Sequence, residues 1–186
     1  FGVFYGLYPN GLKDILLKAD ISKTQEECKE MIDNIKKGYP GLTVWQNKTK
    51  AEVAERKYCE TWSGRRRYLP EIVSDDWNQK STAERQALNH LIQGTAADVI
   101  KLAMVRILDG LSDRPWLKPI LQIHDELSWE KHKDDPLETF IELQEIMGDW
   151  VETQVPIVAE MDATKTTWAD KKAMEGIDDL QLYFSN

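Results

Sequence analysis

Apolar positions along this 186-residue chain change period several times, and each change marks a new element. In "ISKTQEECKEMIDNIKKGYPG", Cys28, Met31, Ile32 and Ile35 recur at the spacing of one helix face. Thr24 and Glu27 make a capping-box pattern there, and Gly38 stands beyond the end. A second helix is predicted over Thr43 to Lys57, and "YCETWSG" has the β-formers of a short strand before a turn at Gly64. The longest helical pattern is "STAERQALNHLIQGTAADVIKLAMVRILDGL", in which Leu88, Ile92, Thr95, Val99 and Ala103 mark a buried stripe and Gly94 dents the helix without ending it. Pro115 and Pro119 then break the chain. After them "ILQIHDELSW" reads as two short strands with Leu121 and Leu127 near the core, "DPLETFIELQEIMGDWVE" as a helix and "PIVAEMDATKTTW" as a last strand. This order predicts an α+β layer, long helices on a small, mainly antiparallel sheet with a carboxylate-bearing hairpin.

Composition narrows the class. Seven Trp, six Tyr, four Phe and 41% hydrophobic residues exclude disorder. No apolar run approaches the roughly 20 residues of a membrane helix, so no membrane partner is expected. Cys28 and Cys59 lack metal-ligand spacing and fit a reducing compartment. The glycosylation pattern at Asn47-Lys48-Thr49 is therefore read as an accident. A start at Phe1, with no signal-like segment before "FGVFYG", reads as a piece cut from something longer. Net charge is −8, but unevenly spread: residues 1–80 hold 14 Lys and Arg against 12 Asp and Glu, and residues 81–186 hold 10 against 20. A polyanion is thus expected against the N-terminal half.

Four constellations carry candidate chemistry. Asp125 and Glu126 sit side by side at the crest of the predicted hairpin. Adjacent carboxylates repel, and hard oxygen ligands with no local Lys or Arg point to magnesium. Arg85, Asn89 and Gln93 lie four apart on one helix, a row of hydrogen-bond donors suited to the minor groove, where every base offers an acceptor. The row is expected to project toward the hairpin crest. "GRRRYLP" places Arg65, Arg66 and Arg67 at phosphate-binding density, and "FGVFYG" offers Phe1, Phe4 and Tyr5 as aromatic faces between glycines. Each alone is more often a solvated turn, a wet helix face, a surface loop or core packing. Their conjunction is what favours function.

In this order the four pieces resemble the C-terminal part of the polymerase domain of family A DNA polymerases, the bacterial DNA polymerase I and phage group. "FGVFYG" is similar to the end of the fingers motif B, "ERQALNHLIQGTAADVIKLAM" to the long minor-groove helix and "QIHDEL" to motif C of the palm; the likeness runs from Phe1 to about Trp168. The resemblance implies that residues 1–80 are a partial fingers region with its connection to the palm, and that 81–186 are palm. It implies that Asp125 binds catalytic Mg2+, two ions in the complete enzyme, with Glu126 in support. It implies that His124, Arg85, Asn89 and Gln93 touch the minor groove, that Tyr5 lies near the templating base, and that Phe1 faces the incoming nucleotide's sugar. Arg65, Arg66 and Arg67 would contact the nucleic-acid backbone. Implied partners are primer-template DNA, dNTPs and a missing N-terminal polymerase segment carrying motif A, in the cytoplasm of a bacterial cell or phage-infected host. Motif A, with its second aspartate, and the fingers Arg and Lys that hold the triphosphate precede motif B in the family, so the isolated chain is expected to be inactive. Two rivals remain: a DNA-binding or assembly half of a split polymerase, and an HD-type phosphohydrolase with metal on His90 and His124-Asp125.

Overall fold

The computed structural model describes residues 2–114, 116–148 and 155–185, which fall into two compact units, Phe1–Ala96 and Ala97–Asn186. The first unit opens with a turn over residues 2–6, followed by α1 (Pro9–Lys18), α2 (Gln25–Gly38) and α3 (Pro40–Arg56). The capping box of α2 forms as its sequence predicts. Thr24 Oγ1 accepts from the Glu27 amide at 3.1 Å and Glu27 Oε2 accepts from the Thr24 amide at 2.8 Å, so two otherwise orphaned donors are satisfied reciprocally. Gly38 is the last residue of this helix rather than the one beyond it. The α1 helix, with no buried residue, was not evident from the pattern; Pro9 at its first turn pre-sets the backbone.

Beyond α3, β1 (Tyr58–Glu60) pairs antiparallel with β2 (Arg66–Tyr68). A short 3-10 turn at Pro70–Val73 leads to α4 (Trp77–Asn89), capped by the Asp76 carboxylate, which accepts from the Asn78 amide at 2.8 Å. One core joins Val53, Cys59, Leu69, Ile72, Ala83 and Ala87, and a second joins Val3, Ile32 and Leu42 beneath Phe4, Leu12 and Trp45.

The long helix is interrupted more deeply than by a dent. After α4, His90–Gly94 forms a π turn before α5 (Thr95–Gly110). A π turn inserts about one extra residue per cycle, and the buried face slips accordingly. Leu88 and Ala103 of the predicted stripe are buried, but Ile92 is 40% exposed and Thr95 and Val99 are half-buried, while His90, Gly94, Asp98 and Ile100 are buried instead.

In the second unit β3 (Lys118–Ile123) and β4 (Glu126–Glu130) form the predicted antiparallel hairpin, with Ile123 opposite Glu126. Leu127 and Trp129 pack with Ile107, Leu111 and Leu143, the last from α6 (Glu138–Gly148). Leu121, expected near the core, is 47% exposed. It opens instead onto an apolar cleft of about 420 Å³ shared with Ile107, Leu111 and Leu127. The predicted reach of α6 to Glu152 passes into residues outside the described ones. β5 (Met161–Ala163) pairs with β6 (Lys172–Met174), a partner the sequence pattern did not suggest, and α7 (Ile177–Ser185) is anchored by Leu180 at 2% exposure. The α+β class holds. Its pairing, among the described residues, is spread over three two-stranded antiparallel ladders rather than one sheet.

Candidate functional site

The opening turn is held by a residue that the motifs did not include. Gln46, 4% exposed on α3, donates from Nε2 to the carbonyls of Val3 and Phe4, each at 2.9 Å. Gly6 closes the turn at φ +82°, a left-handed conformation that glycine adopts without a Cβ penalty. A Cβ there would also meet Leu88 Cδ1 at 3.2 Å and lie 3.9 Å from Arg85 Cγ, so the turn rests directly on α4. Tyr5 is thereby set beside the donor row, and its hydroxyl accepts from Gln93 Nε2 at 2.9 Å.

Arg85 and Gln93 thus reach the opening turn; Arg85 and Asn89 share α4, while Gln93 lies in the π turn. Arg85 donates to Thr82 Oγ1 at 3.1 Å, and its guanidinium lies 5.9 Å from the Tyr8 ring centroid. The Tyr8 ring packs on Trp77 at 5.5 Å, and its hydroxyl reaches Glu84, which pairs with Lys50 at 2.7 Å. Asn89 is half-buried, and no hydrogen bond occupies its amide among the described residues. The result is a half-exposed surface of donors flanked by aromatic rings. Phe1, assigned to the incoming sugar, lies outside the described residues.

The three arginines have different surroundings. Arg65 donates from Nη2 to the Gly94 carbonyl at 2.9 Å, and the buried His90 ring packs here too, Nε2 lying 3.3 Å from the Arg65 carbonyl oxygen. Gly94 permits this approach, because a Cβ would lie 2.8 Å from Thr61 Cγ2. Arg66 pairs with Glu60 at 2.6 Å, the main reason its guanidinium titrates above its ordinary value, and lies 4.7 Å over the Tyr58 ring. The exposed Arg67 guanidinium has no ion pair among the described residues. His90 is therefore engaged in joining the π turn to the β1–β2 loop, and no group of three or more His, Cys, Asp or Glu suited to a metal occurs among the described residues.

In the second unit His124 and Asp125 form the two-residue loop of the β3–β4 hairpin. His124 takes φ +52° and Asp125 does not, the pattern of a turn whose first position glycine usually fills. This strained residue aims the loop, and Gln122 Nε2 ties its carbonyl at 2.7 Å. The Asp125 carboxylate is exposed and carries no hydrogen bond or ion pair among the described residues, leaving it able to take a hard cation.

Glu126, adjacent in sequence, is in a different state. Its Oε1 accepts from Trp168 Nε1 at 2.7 Å and its Oε2 from Lys171 Nζ at 2.7 Å; Lys171 also pairs with Asp162 at 3.2 Å. The Lys171 ammonium, and after it the Trp168 indole, hold the Glu126 carboxyl below its ordinary range, and Glu126 raises Lys171 in return. Glu126 is a charged brace between the hairpin and the segment before β6, with both oxygens already accepting. Trp168 and Lys171 were not singled out from the sequence, because their partner lies some 40 positions away, at |i−j| 42 and 45.

Comparison with known proteins gives this geometry its relatives. The sequence pattern of the family described as DNA polymerase family A matches residues 1–170. DNA polymerase I of Lactococcus lactis is 32% identical over 173 residues, covering 92% of this chain and 19% of the relative. DNA polymerase I of Pseudomonas aeruginosa is 36% identical over 161 residues, 86% of this chain and 17% of the relative. The chain thus spans about a fifth of the length of the curated relatives it matches. Among solved structures, the POL domain of Pol1 from M. smegmatis, in complex with DNA primer-template and dNTP, matches with TM-score 0.75 and 33% identity, over 84% of this chain and 27% of that one.

Proposed function

This chain belongs to DNA polymerase family A, and on that premise we propose that its residues supply the end of the fingers and the motif C part of the palm in a template-directed DNA polymerase. The proposed reaction joins a dNTP to a primer 3′-hydroxyl with release of pyrophosphate. The observation that carries the reading is Asp125, an unpaired carboxylate fixed by a two-residue hairpin loop within the family-matched residues.

In this reading Asp125 is the residue that would hold Mg2+. In the complete enzyme one Mg2+ would lower the pKa of the primer hydroxyl and the other would neutralise the leaving pyrophosphate. Glu126, braced by Trp168 and Lys171, keeps the loop in place and adds negative potential without giving up its own partners. The donor row of Arg85, Asn89 and Gln93 would track minor-groove acceptors beside the primer end, and His124 would contact the same groove. Tyr5, set by Gln46 and Gln93, would lie by the templating base, and Arg67 would take a backbone phosphate, Arg65 and Arg66 being partly committed within the chain.

A single unpaired carboxylate cannot clamp two ions, so these 186 residues alone do not extend a primer; a segment carrying the second palm aspartate completes the site. Primer extension with Mg2+ and all four dNTPs tests this with the chain alone and with the chain joined to a family A segment bearing motif A. Expected is extension only in the joined form, abolished by Asp125→Ala. Extension by the chain alone that disappears in Asp125→Ala would overturn the claim of incompleteness. A joined form that binds primer-template yet never extends it would favour a DNA-binding or assembly role.

A further inference from the structure

Residues matched to the family end at 170, and β6 and α7 lie past that point. On α7, Tyr183 and Phe184 pack edge to face, ring centroids 5.2 Å apart at 79°. Three lysines from three different segments converge on this pair. Lys131, just after β4, lies 5.0 Å from the Phe184 centroid; Lys165, after β5, lies 5.1 Å from Tyr183 and 5.8 Å from Phe184; Lys172, on β6, lies 5.7 Å from Tyr183.

None of the three ammonium groups has a carboxylate partner among the described residues; Lys131 is hydrogen-bonded only to the carbonyls of His132 and Lys133. Their gathering is unexpected on composition, since residues 81–186 carry 10 basic against 20 acidic side chains. Three like charges drawn together repel, and the attraction of each ammonium to a ring face, about 0.5–1 kcal/mol at an exposed site, offsets that repulsion. The aromatic pair therefore gathers three ammonium groups without ion-pair partners among the described residues on an otherwise acidic half. Leu180, buried beneath α7, and the Glu175 amide, which donates to Asp179 Oδ2 at 3.0 Å, fix the helix that carries it.

We infer that Lys131, Lys165 and Lys172, gathered on Tyr183 and Phe184, form a second nucleic-acid contact that holds the phosphodiester backbone of single-stranded DNA. The inference rests on the polymerase reading. Cations interleaved with aromatic rings are the chemistry that follows a single strand, the lysines meeting phosphates while a ring stacks on an unpaired base. Duplex would offer phosphates at higher density but no free base for the rings.

The test is fluorescence anisotropy of a labelled oligo-dT with the full 186-residue chain across a salt series. Replacing all three lysines (Lys131→Gln, Lys165→Gln, Lys172→Gln) is expected to weaken binding about tenfold at low salt and to reduce the log-log salt slope by about 2, at roughly 0.7 per phosphate contact. Tyr183→Leu with Phe184→Leu keeps the charges, so it should lower affinity while largely retaining the slope; unchanged helical circular dichroism confirms that α7 persists. Arg85→Ala reports the other surface, and primer extension by the joined form reports the polymerase reading separately. An unchanged slope and affinity in the triple variant, beside a loss in Arg85→Ala, overturns the inference and leaves the polymerase reading intact. So does a chain that binds no oligo-dT at low salt. Lysine-dependent binding to phosphatidylserine vesicles with oligo-dT binding unaffected assigns the patch to a membrane surface and also overturns it.

Discussion

Removing the hydrogen-bonding capacity of Gln46 without changing its size should loosen the opening turn more than any change to the exposed motifs. Its amide is 4% exposed and makes both bonds from one nitrogen, to Val3 and Phe4 at 2.9 Å. The Val3 carbonyl keeps the Gly6 amide, at 3.1 Å, as a second donor. Gln46→Met preserves length and apolar volume but supplies no donor. Two hydrogen bonds at about 0.5–1.5 kcal/mol each, with one carbonyl left poorly satisfied, give an expected loss of about 1–3 kcal/mol. Gln46→Glu is closer in shape but worse, because an ionised carboxylate presents only acceptors to two carbonyl oxygens. Burial and those carbonyls raise its folded pKa, so its penalty grows as pH rises above the unfolded carboxylate value of about 4.3. Urea unfolding followed by tryptophan fluorescence reads this well, since Trp45 packs on the same core as Val3. In the joined polymerase, Gln46→Met should also weaken primer-template binding through Tyr5. A Gln46→Met midpoint equal to that of the parent chain would refute the claim that these two bonds hold the turn.

Gly94→Ala sets helix propensity against crowding. The methyl gains about 1 kcal/mol intrinsically, but it lies 2.8 Å from Thr61 Cγ2 and 3.0 Å from His90 Nδ1, and overpacking costs about 1–3 kcal/mol. A modest net loss in urea is expected, and a gain would show that the contact is easily relieved. Glu126→Gln should destabilise the chain at neutral pH. The Glu126 carboxyl is depressed on folding, so its contribution is present above the unfolded value near 4.3 and is lost as pH falls through the lower folded value. Thermal melts of the two proteins should therefore converge on acidification; a gap that widens toward low pH would contradict the brace. His124 sits at φ +52°, so His124→Gly should leave stability within about 1 kcal/mol, whereas His124→Val should cost about 1–2 kcal/mol more because a β-branched residue resists the left-handed region. Equal stability of the two variants would remove the argument from strain.

What the sequence made legible was local. Thr24 and Glu27 are three apart and predict their own reciprocal bonds, and the β3–β4 alternation around His124-Asp125 predicts a hairpin because strand and turn signals sit within a dozen residues. The π turn was not legible. Nothing in "HLIQG" distinguishes one extra residue per cycle from an ordinary helix, so the spacing predicts Ile92 on a face that the backbone in fact rotates outward. Gln46 carried no signal, since a single glutamine on a helix reads as a polar surface position until its two carbonyl partners, some 40 positions earlier, at |i−j| 43 and 42, are known.

The acidic pair shows where the limit lies and why it bears on function. In sequence Asp125 and Glu126 are one motif, and electrostatics alone assigns them the same ion. In the fold, Asp125 is a loop residue with an unpaired carboxylate, while Glu126 opens a strand, and alternation along that strand turns it toward Trp168 and Lys171. Two adjacent carboxylates that would otherwise repel are thus distinguished, one neutralised by a cation from the protein itself and the other left unpaired among the described residues. Lys171 comes from the short segment leading into β6. The difference between the two carboxylates is therefore set by residues more than 40 positions downstream, at |i−j| 45 for Lys171, which the motif itself does not contain.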